Sequence, residues 1–215
     1  MTSSSLTPPP SALDLLQFWF GPRPYTPASV QQHARLWFGE PDAPELTPQT
    51  DELIRERYGE LTLAAEQGQL SAWESSPRRR LALIVLLDQC SRNIYRGTAR
   101  AYAQDLRALS LTVSGMQVGA DATLDPVERL FFYMPLMHAE SLDVQEESVA
   151  AFRRLLEEAP ADLRRIFADH LQHALAHREV IGRFGRFPSR NSVLGRDSTA
   201  EELEWLAHEG RPLPQ

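Results

Sequence analysis

Residues 78–94 read RRRLALIVLLDQCSRNI, and the seven residues from Leu81 to Leu87 are all apolar. A run this continuous, followed by Asp88, Gln89, Arg92 and Asn93 and broken at Gly97-Thr98, reads as a central helix buried on most sides. The stretches around it carry apolar residues at helical spacing and no strict alternation, so the chain reads as all-α. Upstream, residues 48–67 place Leu53, Ile54, Tyr58, Leu61, Leu63 and Ala65 on one broad face. Thr47-Pro48 offers a cap and first-turn proline, and Gly68 a stop. Before it, a helix capped by Ser11 carries Leu13, Leu16, Phe18 and Phe20 and ends at Gly21-Pro22, and a short one ends at Trp37-Phe38-Gly39.

Downstream, a helix is expected from about Ala99 to Val118 and another from Asp125-Pro126, which Pro135 kinks or ends. Residues 141–158 and 161–182 read as two amphipathic helices. Ala159-Pro160 between them is a link short enough to favour an antiparallel pair. Ser198-Thr199, followed by Glu201-Glu202, is a capping-box pattern opening a last helix with Leu203, Trp205 and Leu206. No 34-residue repeat is visible. Residues 1–10, MTSSSLTPPP, have neither the basic start nor the apolar centre of a signal peptide and read as a disordered lead. Residues 11–215 read as a single all-helical domain.

All 22 basic residues are arginine, which removes lysine Schiff bases, pyridoxal phosphate aldimines and the P-loop lysine. The single Cys90 leaves no internal disulfide. Beside Asp88 and near a helix C-terminus, it sits where dipole and charge disfavour a thiolate. No apolar run approaches the ~20 residues that span a bilayer, and a cytoplasmic protein is expected. The formal charge of -7 argues against nucleic acid. Arg78-Arg79-Arg80 reads as a solvated face.

Polar residues concentrate in three places. In the first, Asp88 and Arg92 lie four apart: either an exposed ion pair, or with Arg96 a polar ridge facing a pocket. In the second, His138 and Glu140 follow Pro135, where a proline break would expose them for acid-base chemistry, metal ligation or helix capping. The third, residues 183–196 (RFGRFPSRNSVLGR), holds four arginines, Gly185, Pro188 and Gly195, and no acid, a pattern suited to a local anion site. His170, His173 and His177 share a helix face. They could ligate a metal, but Leu163, Phe167, His170, Ala174, His177 and Ile181 make an ordinary core stripe that accounts for His170 and His177, and no metal or cofactor is assigned.

The chain resembles the uncharacterised bacterial family catalogued as domain of unknown function 924. The resemblance rests on Phe18-Trp19-Phe20-Gly21, Leu86-Leu87-Asp88-Gln89, Arg92-Asn93-Ile94-Tyr95-Arg96-Gly97 and Met134-Pro135-Leu136-Met137-His138-Ala139-Glu140. It continues in His177-Arg178, Arg183-Phe184-Gly185-Arg186-Phe187-Pro188, Arg190-Asn191 and the stretch from Leu194 to Glu202. It implies antiparallel helix pairs in a tetratricopeptide-repeat-like right-handed superhelix, and no established activity. The sequence departs from the family's pattern at Cys90-Ser91, where Phe-Pro is commoner, and at Ser189, where His is typical. If that histidine were an essential base or ligand, His177 or His138 would have to stand in for it.

Taken together, the three segments are expected to converge on one hollow. Asp88, Gln89, Arg92, Asn93, Arg96, Arg183, Arg186, Arg190 and Asn191 would bind a small anionic molecule or peptide carboxylate there. An enzyme with His138 and Glu140 as an acid-base pair, or His177 as base, acting on a phosphorylated or carboxylated substrate held by Arg186 and Arg190, is the first alternative. A protein-interaction scaffold with these charges as structural staples is the second. No membrane partner is expected, and the oligomeric state is open.

Overall fold

The computed structural model describes residues 10–39 and 46–208, and among them there is no strand. The expected disordered lead lies outside the described residues except for Pro10. The helices run α1 (Ala12–Phe20), α2 (Pro27–Phe38), α3 (Thr47–Glu66), α4 (Pro77–Ile84), α5 (Ser91–Ile94), α6 (Asp105–Gln117), α7 (Pro126–Met137), α8 (Leu142–Glu157), α9 (Arg164–Phe184) and α10 (Ala200–His208). A π turn, Val85–Cys90, joins α4 to α5 in one rod covering 77–94. No helix of the described residues is long and apolar enough to cross a membrane.

That rod is the axis of the core, and Leu81 to Leu87 are all fully buried. Each such leucine, isoleucine or valine contributes about 1.5–3 kcal/mol of burial, which outweighs any local preference and holds the rod in place. The α1 helix packs on it, opened by reciprocal capping bonds between Ser11 and Asp14. Gly21, at φ +75°, closes α1, and a Cβ there would lie 2.6 Å from His33 Cε1. The Trp37 indole donates to Trp19 O at 2.8 Å, and Phe20 and Trp37 pack edge-on against Phe131 of α7.

Residue pairing fixes the directions of the later helices. Gly182 lies against Leu142 and Arg178 bonds Glu146, so α9 returns antiparallel to α8 as the short link implied. Arg129 with Glu158, and Tyr133 with Phe152, set α7 antiparallel to α8 in the same way. Thr199 and Glu202 cap α10 reciprocally.

Several expectations need correction. The buried face of α3 is Asp51, Ile54, Tyr58, Thr62 and Ala65, whereas Leu53 and Leu63 are exposed. Thr47 is the first residue of α3 and not its cap, and no side chain caps that end. The helix expected from Ala99 is a 3-10 turn (Ala99–Tyr102) followed by α6. Pro135 sits inside α7, which continues to Met137. Proline removes one donor, and the bond that closes the helix, His138 N–H to Met134 O at 3.0 Å, is made. Arg80 is not solvated. It is buried and donates to Glu74 O, Leu111 O and Ser114 Oγ, while Arg78 pairs with the buried Glu128.

Arg80 also sets a packing limit. A Cβ on Gly115 would come within 2.6 Å of Phe132 Cζ and 2.8 Å of Arg80 Cδ. Gly115→Ala is therefore expected to destabilise the fold by about 1–3 kcal/mol through overpacking, despite alanine's better helix propensity. Urea unfolding checks this, and an unchanged or raised midpoint would contradict it.

Candidate functional site

The polar residues just past the apolar run are buried. Asp88 is 0% exposed and Arg92 4%, so the exposed ion-pair reading of Asp88 and Arg92 does not hold. The π turn carries Asp88 and Gln89, and π turns concentrate at functional sites because they widen the helix at a cost in hydrogen-bond geometry. Asp88 Oδ1 lies 2.7 Å from His138 Nδ1, Gln89 Nε2 donates to Asp88 Oδ2 at 2.6 Å, and Arg92 Nη2 stands 3.6 Å from Asp88 Oδ1. The His138–Asp88 contact crosses from the end of α7 to the centre of the rod.

Arg92 makes a two-point contact with Asp105, at 2.9 and 3.1 Å, and Arg190 Nη1 reaches the same carboxylate at 3.2 Å. Arg190 Nη1 also donates to His138 O at 3.2 Å. The guanidiniums of Arg92 and Arg190 lie 5.3 and 4.7 Å from the Tyr102 ring centroid, and Arg190 is 4.5 Å from that of Phe187. Residues from the three segments thus meet: Asp88, Gln89 and Arg92 from the first, His138 from the second, Arg190 from the third.

Burial decides the protonation states. Loss of hydration pushes His138 below its ordinary value, and Arg92 beside it works in the same direction against the attraction of Asp88. The pair is best described as an ionised Asp88 accepting from a neutral His138, which fixes the tautomer with hydrogen on Nδ1 and a lone pair on Nε2. His177 lies behind it, with ring centroids 6.3 Å apart. Its Nδ1 is 2.8 Å from His173 O, and burial first, then His138, push it down to about 3.

The expected single hollow is in fact two cavities on either side of Tyr102. One, of about 340 Å³, is lined by Gln89, Arg92, Asn93 and Arg96, with Asp51 and the aromatic wall of Trp37 and Phe38. Asp51 takes two bonds from Arg96, at 2.5 and 2.9 Å, and one from Asn93 at 2.9 Å. The other, of about 320 Å³, is lined by Tyr102, Asp105, His138, Glu140, Ser141 and Arg190, with Leu106, Leu109, Leu194 and three alanines as walls.

The remaining expected residues lie elsewhere. Arg183 bonds Glu201, Arg186 bonds both oxygens of Glu202 and Asp197 O, and Asn191 donates to Ser198 and Glu202. None of the three lines either cavity, and they tie the 183–196 segment to α10. Glu140 does not pair with His138. It accepts from Arg196 at 2.6 and 2.9 Å and from Phe187 N–H at 2.8 Å, which anchors the segment carrying Arg190. Burial would raise the Glu140 carboxyl, but Arg196 and that N–H hold it below its usual range. Ser189 is exposed on the outer side of the 3-10 turn Pro188–Arg190.

Three further side chains belong to the site without a sequence signal: Asp51, Asp105 and Tyr102. Nothing in their spacing marks them, because each acts through partners from other elements. Among the described residues no group of three His, Cys, Asp or Glu side chains is placed to hold a metal ion. On α9, His170 and His177 each engage Nδ1 with the carbonyl four residues back. Cys90 is fully buried, and burial raises its thiol well above the ordinary value, so it is inert.

No curated protein matches the chain. Among solved structures, it is similar to a protein of unknown function, ATU0120, from Agrobacterium tumefaciens. The identity is 31%, the TM-score is 0.74, and the match covers 91% of this chain and 96% of that one. The family described as "Bacterial protein of unknown function (DUF924)" matches residues 15–210. With nearly the whole chain matched and the same helical architecture in a relative, this protein belongs to the DUF924 family.

Proposed function

We propose that the protein binds a small monocarboxylate with a short apolar body in the cavity floored by Arg190. The observation that carries this reading is the state of that guanidinium. It is 8% exposed and uses only Nη1 for hydrogen bonds, which leaves the N–H groups of Nε and Nη2 without a partner among the described residues at the edge of the 320 Å³ space. A planar fork of unengaged donors matches a carboxylate, and leucine and alanine walls match a short hydrocarbon.

Charge selects among anions. Arg92 and Arg190 are balanced by Asp88 and Asp105, so a guest brings its full charge into a partly apolar space. One carboxylate brings one unit. A phosphate dianion brings two, and its desolvation is the costlier. The scaffold reading describes Arg183, Arg186 and Arg196 better, since their side chains are engaged by carboxylates at the segment's outer edge.

Thermal unfolding with acetate, butyrate, octanoate and phosphate tests the proposal. At a hundredfold excess over Kd, butyrate should stabilise the chain by about 2.7 kcal/mol, a Tm rise of about 5–10 °C. Arg190→Gln should remove the rise. Equal shifts in both proteins, or a larger shift with phosphate, would count against the site.

A further inference from the structure

We infer that this cavity also hydrolyses short-chain acyl esters, with the Asp88–His138 pair activating water and Arg190 receiving the charge that develops on the carbonyl oxygen. The inference rests on the carboxylate-binding reading and deepens it, because the carboxylate that Arg190 holds would be the product of this reaction.

Asp88 is fully buried, 2.7 Å from His138 Nδ1, and is itself fixed by Gln89. That arrangement directs the imidazole lone pair to Nε2. His138 Nε2 makes no hydrogen bond to a described residue, and His138 lines the same cavity as Arg190. An oriented base and unengaged donors on one small, apolar-walled space are the two parts acyl hydrolysis needs. A buried carboxylate–imidazole pair has no stabilising role that a well-packed apolar pair would not fill as well.

The step balances without a cofactor. A water oxygen bonds to the ester carbonyl carbon as its proton passes to His138 Nε2. The carbonyl electron pair moves to oxygen, facing the Arg190 N–H groups. Collapse breaks the acyl–oxygen bond, and the imidazolium returns its proton to the departing alkoxide. Alcohol and carboxylic acid leave, the acid losing its proton to solvent. His138 would be the catalytic base, and Asp88 a positioning residue.

The groups facing His138 are Asp88 and Arg92 on the rod, Asp105 on α6, His177 on α9 and Arg190 on the following segment. Burial keeps His138 below its ordinary value, so the base form persists to lower pH. The rate should therefore stay flat through neutrality and fall only on the acid side of the ordinary histidine value of about 6.5.

The test is steady-state hydrolysis of p-nitrophenyl acetate, butyrate and octanoate from pH 5 to 9. Butyrate ester should saturate the protein, with free butyrate as a competitive inhibitor. His138→Gln should lower kcat/KM by about 10²–10⁴-fold while the butyrate-dependent Tm rise persists. Asp88→Asn should lower kcat with little change in KM and shift the pH profile. Arg190→Gln should lose both hydrolysis and the Tm rise. Wild-type turnover no faster than that of His138→Gln across the pH range would overturn the inference. If butyrate still raised Tm in that case, the binding reading would stand without it.

Discussion

Replacing Asp105 with asparagine is expected to lower Tm by roughly 6–20 °C. This single carboxylate receives two bonds from Arg92 and one from Arg190, and both guanidiniums are more than nine-tenths buried. Removing its charge leaves two adjacent cations facing each other, with Asp88 at 3.6 Å from Arg92 as the nearest remaining anion. Breaking a buried pair from one side costs about 3–5 kcal/mol, and a chain of this size loses ~2–4 °C per kcal/mol. The double variant Asp105→Asn/Arg190→Gln should recover part of the loss, because it also removes one uncompensated charge. Denaturant unfolding of the four proteins of the cycle gives the coupling directly. A loss under about 1 kcal/mol would mean that the network behaves as an exposed ion pair.

The second large effect is on acid stability. Burial, the dominant cause in each case, pushes His170 down to about 4 and His177 to about 3, and both rings are almost wholly enclosed. Between those values and the unfolded value of about 6.5, the unfolded chain binds more protons than the folded one. Their contribution is therefore complete above pH 6.5 and is lost as the pH falls through the folded values. The expected loss by pH 4 is on the order of 3 kcal/mol per imidazole, and it begins well above the carboxylate range. Urea midpoints at pH 7.5, 6, 5 and 4.5 should fall steadily, and His170→Gln/His177→Gln should flatten the curve. A stability profile level down to pH 5 would show that these rings titrate as exposed groups do.

The stripe of Phe167, His170, Ala174, His177 and Ile181 was visible as an ordinary core face, and it is one. The caps at Ser11 and Thr199 and the turn at Gly68 were equally legible, because each is a signal within a few residues. Leu53 and Leu63 were misplaced for a related reason: periodicity marks an apolar face but not how wide a strip the neighbouring helices cover. Pro135 does not end α7, because only its own donor is lost and His138 N–H still bonds Met134 O in the last turn.

The candidate site was legible in its membership and not in its wiring. Asp88, Arg92, His138 and Arg190 stood out as polar groups beside apolar runs or breaks, and they meet. Arg183 and Arg186 stood out as well, yet their partners are Glu201 and Glu202. Asp51 and Asp105 carry no local signal, because their partners stand far along the chain, Arg96 for the one and Arg190 for the other.

From its order of residues alone, this chain is committed to helices, to a buried rod at 81–94 and to polar side chains that the rod carries into the interior. Helical periodicity and capping are short-range properties, set within a turn or two of each residue. Which guanidinium meets which carboxylate was decided only when the helices packed, since Arg190 finds Asp105 across 85 positions and Arg96 finds Asp51 across 45. Coulomb attraction in a low-dielectric interior depends on distance in space, and that distance does not exist until the chain has folded.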